Sequence, residues 1–116
     1  MDDQLKAALD FSNFRQTFSI QQKILKEKTQ AKLTYGFNGG IFKINRELIS
    51  FVQSLLDKGR SSGVVLLDQN DIPVLVEDLS KFQDEIMDRY FTSTNEYLEE
   101  FQKLKKSRSV EKLIDL

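Results

Sequence analysis

Four acidic side chains are the first candidates for chemistry, because Asp84 with Asp88 and Glu96 with Glu100 stand four residues apart. On a helix that spacing puts two carboxylates on one face, where they can hold a hard cation. The stretch is so acidic that such pairs arise without function, and solvation is the simpler account. Asp68, Asn70 and Asp71 echo the start of a calcium loop, but its fifth position is Ile72 and its twelfth Leu79, where a bidentate glutamate is needed. The calcium reading fails.

The sequence holds neither histidine nor cysteine. The commonest general base is therefore missing, along with imidazole and thiolate metal ligands, Ser-His and Cys-His pairs, and disulfides. The residues thus name no catalytic group, no metal site and no cofactor.

Two glycine-containing loops invite a phosphate reading. Gly36-Phe37-Asn38-Gly39-Gly40 sits between two β-prone runs, whereas a phosphate cradle feeds a helix amino terminus. It also contains the G-x-x-G spacing of one class of RNA-binding loop, but that loop joins two helices. A hairpin turn explains it better. Gly59 to Gly63 follows the carboxyl end of a helix, where the dipole repels anions, so it reads as a connector carrying Arg60.

Basic residues offer a weaker alternative. Arg15, Lys23, Lys26, Lys28 and Lys32 could track a phosphate backbone, with Lys103, Lys105, Lys106 and Arg108 as a second cluster. Against this stands a net charge of −1, from 17 basic and 18 acidic residues, with no aromatic platform flanking the first cluster. Nucleic-acid binding is accordingly the second hypothesis, and a solvated helix face the plain account of these lysines.

The elements that must position these residues are legible in the patterning. From Leu79 to Lys106 the apolar positions Leu79, Phe82, Ile86, Tyr90, Tyr97, Phe101 and Leu104 advance in helical steps, broken only by the polar Thr94. Charged residues fill the back face, with Glu85–Arg89 and Glu99–Lys103 at favourable i,i+4 spacing. At about 1.5 Å per residue this helix would reach roughly 42 Å. A compact domain of this length has a radius of gyration of about 13 Å, so the helix should overhang it.

Residues 3 to about 30 predict an amino-terminal helix with a weak point at Ser12 and Asn13, although Thr17 to Gln21 alternates as a short strand would. A hairpin over about 32–44 turns at Asn38-Gly39. A helix over 46–58 follows, capped by Asn45 and stopped at Gly59. A second hairpin over about 64–77 turns at Gln69-Asn70-Asp71 and has Pro73 early in its return strand. Asp78 caps the long helix over 79–106, and Ser107-Arg108-Ser109 should separate it from a short amphipathic tail.

These elements predict an α+β fold: one domain over 1–106, in which four strands share an antiparallel sheet, and a tail over 107–116. Leu33, Tyr35, Phe42, Ile44, Val65, Leu67, Val74 and Val76 are the expected inward strand residues. No apolar run approaches the length of a membrane span and the acidic start is unlike a signal peptide, which makes a cytoplasmic protein the expectation.

Function follows from the overhang. Tyr97, Leu98, Phe101 and Leu104, with Val110, Leu113 and Ile114 in the tail, form the expected subunit or partner interface, with cover by the amino-terminal helix as its equal competitor. The first hypothesis is a non-catalytic assembly or adaptor protein that works as a homo-oligomer and presents its tail to a larger complex.

Overall fold

The computed structural model describes the backbone of residues 2–114 and the side chains of residues 2–107. The expected tail contacts Val110, Leu113 and Ile114 lie outside the described side chains. The order is α1 (Asp3–Lys32), β1 (Thr34–Phe37), β2 (Gly40–Lys43), α2 (Arg46–Asp57), β3 (Val64–Leu67), β4 (Pro73–Val76) and α3 (Leu79–Ile114). This is the α+β arrangement that the patterning predicts. The chain forms two compact units: Thr29–Thr94, and the described residues on either side of it. Both long helices contribute to each.

α1 is one helix of 30 residues, without the strand that Thr17 to Gln21 allowed. No glycine or proline interrupts it, and the Thr17 hydroxyl donates back to the Asn13 carbonyl (2.9 Å) at the expected weak point. α3 is likewise continuous over 36 residues and passes through Ser107-Arg108-Ser109, where a break was expected. Serine lowers helix propensity by only a few tenths of a kcal/mol, about 0.5, which does not end a helix without glycine or proline.

In the Thr29–Thr94 unit, the first hairpin's turn, both ends of α2 and the start of α3 are set by local residues. Asn38 and Gly39 adopt φ of 45° and 86°, the left-handed pair required by a two-residue hairpin, and Phe37 faces Gly40 across it. Asn45 Oδ1 accepts from the Leu48 amide (2.8 Å) and caps α2. Gly59, at φ 79°, ends α2 with two bonds: its own amide to the Leu56 carbonyl and the Arg60 amide to the Leu55 carbonyl. Asp78 Oδ1 accepts from the Lys81 amide (3.0 Å) and caps α3.

The core of this unit is Phe42, Ile44, Val52, Leu66, Val74, Val76, Leu79, Phe82 and Ile86. Both hairpins, α2 and the first turns of α3 each supply at least one of these side chains.

Two expectations about the strands are corrected. The four strands do not share one sheet; β1 pairs only with β2, and β3 only with β4. The edge of β2 is met by the turn of the second hairpin rather than by a strand: the Gln69 amide donates to the Ile41 carbonyl (3.0 Å), and the Ile41 amide to Asp68 Oδ2 (2.9 Å). Val65 and Leu67, expected inside, are 58% and 60% exposed, while Leu66 is buried. All four residues of β3 are apolar, so alternation alone gives its inward face no phase. Pairing with β4 sets it, because Leu66 and Val64 stand opposite the buried Val74 and Val76, and cross-strand partners share a face.

Gly40 marks a close approach between the hairpins. A Cβ there would stand 2.5 Å from Val74 Cγ2 and 3.3 Å from Asp68 Cβ. Gly40→Ala is expected to destabilise the fold by about 1–3 kcal/mol through overpacking. Chemical denaturation measures this. Combining it with Val74→Ala, which removes the obstructing methyl, should give a loss smaller than the sum of the two singles.

Candidate functional site

The expected interface residues fall in the unit that contains most of α1 and the carboxyl-terminal part of α3. Tyr97, Phe101 and Leu104 are half-buried there, and Leu98 is exposed. The Phe101 ring meets Phe18 of α1 edge-on at 6.4 Å and stacks on Tyr97 at 6.2 Å. Part of the stripe is therefore covered within the chain, as the competing expectation has it. Lys103 reaches Glu100 (3.9 Å), an exposed i,i+3 pair, rather than the expected Glu99.

α1 itself buries no residue. Its apolar side chains lie on two sides rather than one. Phe14, Phe18 and Leu25 are half-buried on one side, with the exposed Phe11 beside them at about 100° per residue, whereas Leu5, Leu9, Ile20 and Ile24 are exposed on the other. A helix whose hydrophobic residues are divided between opposite faces can satisfy only one of them against a single neighbour. The other face carries aliphatic side chains that solvent does not favour.

The basic cluster on α1 does not form one surface. At about 100° per residue, Arg15, Lys23 and Lys26 project to one side of the helix and Lys28 and Lys32 to the other. Arg15 also lies over the Phe11 ring, 6.0 Å from its centroid. Lys103, Lys105 and Lys106 point in three directions around α3 by the same geometry, and Arg108 lies outside the described side chains.

The Thr29–Thr94 unit contains two polar groups that sequence reasoning did not single out as structural. Asp68 is buried, and each carboxylate oxygen is engaged: Oδ2 accepts from the Ile41 amide (2.9 Å), and Oδ1 from the amides of Asn70 (2.8 Å) and Ile72 (2.9 Å). The Ile41 bond is the largest influence holding its carboxyl below the ordinary carboxylate range; burial opposes it, and the Ile72 and Asn70 amides reinforce it. The acidic turn that resembles a calcium loop therefore ties two hairpins together. Ionised Asp68 is already occupied by backbone donors.

The second group is Gln83, which is 3% exposed. Its Nε2 donates to the Ile49 carbonyl (3.0 Å) and to Gln53 Oε1 (3.3 Å), while its own Oε1 accepts from no protein donor. It borders a shallow groove with Arg46, Ile49, Asp57, Met87 and Tyr90. The seam Leu79, Gln83, Ile86, Tyr90 advances by four, three and four, and reading it would have marked Gln83 as inward.

Also unforeseen is the outer face of the second hairpin, where Val65, Leu67, Ile72 and Leu75 are all exposed. Among the described residues no three acidic side chains converge as a metal site would require. Glu85 pairs with Arg89 (2.7 Å) as expected, and that guanidinium lies 4.4 Å from the centroid of the Tyr35 ring.

No protein-family model, no curated protein and no solved structure matches the chain. Among the described residues, no helix is long and apolar enough to cross a membrane.

Proposed function

We propose that the protein is a non-catalytic assembly protein that works as a homo-oligomer through its two long helices. The observation that carries this reading is the unit built from α1 and the end of α3, where a 30-residue helix has no fully buried residue and leaves Leu5, Leu9, Phe11, Ile20 and Ile24 exposed, with Leu98 exposed on α3. Helices in water draw most of their stability from packing an apolar face. A second copy supplies that packing without any further component. Its mechanism is burial of aliphatic and aromatic surface at the centre of the contact, with charged side chains around the rim selecting orientation. The absence of histidine and cysteine favours a structural role over catalysis.

Light scattering coupled to gel filtration tests it. At micromolar concentration the full chain is expected to show at least twice its 13.5 kDa mass. Monomer throughout that range would remove the reading. Titration with single- and double-stranded oligonucleotides at 50 mM salt, which favours charge-driven binding, is expected to show none.

A further inference from the structure

We infer that α1 pairs with α1 of a second copy in antiparallel orientation, centred between Phe14 and Arg15, through the face formed by Leu5, Leu9, Asn13, Gln16, Ile20 and Ile24. This deepens the assembly reading and rests on it.

The face is defined by helix geometry and exposure together. At about 100° per residue, these six positions fall within an arc of roughly 100°, on the side of α1 opposite Phe14, Phe18 and Leu25. Those three are half-buried, whereas Leu5, Leu9, Ile20 and Ile24 are 49%, 48%, 52% and 56% exposed. The six advance in steps of four, four, three, four and four, so the stripe stays on one side from end to end.

What identifies the occupant is that this stripe complements itself. A two-fold axis between Phe14 and Arg15 sets Leu5 opposite Ile24 of the second copy and Leu9 opposite its Ile20, and the symmetry makes each contact twice. The same axis sets Asn13 opposite Gln16 of the second copy. Each amide offers both a donor and an acceptor, so the two satisfy one another at the centre of the seam. A polar pair at that position penalises slipped registers, in which an amide would face an aliphatic side chain.

Charge selects the orientation. Before the axis α1 and its approach carry Asp2, Asp3 and Asp10 against Lys6; after it they carry Arg15, Lys23, Lys26, Lys28 and Lys32 against Glu27. Antiparallel pairing lays the acidic start of each helix beside the basic end of the other. Parallel pairing would put like beside like.

The chain has no cysteine, so single introduced thiols report directly. Full-length Leu5→Cys and Ile24→Cys proteins, one carrying a mass tag, are mixed and oxidised, then separated without reductant. The mixed Leu5→Cys/Ile24→Cys disulfide is expected to dominate over both self-disulfides. Predominant self-disulfides would mean parallel pairing and overturn the inference. In parallel, Ile20→Glu is expected to raise the dimer dissociation constant more than tenfold in light scattering. Adding Leu9→Lys should recover most of that loss, because the two new charges meet across the axis. Circular dichroism verifies that each variant keeps its helix content. An oligomer that persists with no cross-link and no response to Ile20→Glu would overturn the α1 pairing and leave the assembly reading standing. A wild-type monomer would overturn both.

Discussion

Phe82→Ala is expected to lower the unfolding free energy by about 3–5 kcal/mol. Phe82 is 2% exposed, and its ring is met by Phe37 at 5.2 Å, Phe42 at 5.3 Å and Tyr35 at 6.0 Å. The Phe37 and Phe42 contacts are edge-to-face, a favoured arrangement of two ring quadrupoles. All three neighbours come from the first hairpin, so this one ring fastens β1 and β2 to the start of α3. Against a domain stability of about 5–15 kcal/mol the loss is a large fraction. Guanidinium unfolding measures it, with the slope of the transition unchanged if only stability is altered. Phe82→Leu retains part of the apolar volume and is expected to lose about half as much, roughly 2 kcal/mol. A loss below about 1 kcal/mol for the alanine variant would mean that the first hairpin is held by something other than this cluster.

The sequence makes the type and order of the elements readable because their boundaries carry local chemistry. Asn38-Gly39 demands positive φ, Asn45 and Asp78 satisfy free amides, and Gly59 takes the left-handed end of α2; each acts within a few residues of itself. The burial of Phe82 and Ile86 follows equally from helical period. Long-range relations were not readable. Four apolar residues in β3 leave either face free to turn inward, and only the partner strand decides that Leu66 and not Val65 is buried. The edge of β2 is met by Asp68 and Gln69 of the second hairpin's turn instead of by a strand; the turn chemistry of Asp68 is visible in the sequence but its reach to Ile41 is not. The same holds for the candidate surface. Helical period alone does not say which side of α1 is covered, and the structure leaves Leu5 and Leu9 exposed with Ile20 and Ile24.

Asp68 supplies the second large effect, and its pH dependence separates charge from shape. Its Oδ2 accepts from the Ile41 amide and so reaches β2, beside the backbone bond from Gln69 to the Ile41 carbonyl, while Oδ1 accepts the two amides of its own turn. In Asp68→Asn the side chain keeps its size but exchanges one oxygen for a donor. If the remaining oxygen stays with Asn70 and Ile72, the new NH2 faces the Ile41 amide, donor against donor; if it turns, the hairpin loses both its own bonds. The variant is therefore expected to melt roughly 5–10 °C below the wild type at pH 7. The wild-type carboxyl titrates below its ordinary value of 3.8, because the folded state stabilises the charged form. A depressed folded pKa gives stability that is fully present above the unfolded value and is lost as pH falls through the folded one. The gap between wild type and Asp68→Asn should hence be constant from neutral pH to about 5 and narrow as pH passes below 3.8. Thermal melts at pH 7, 5, 4 and 3 supply the test. A gap that stays constant down to pH 3 would show that the shape of the side chain, rather than its charge, joins the hairpins.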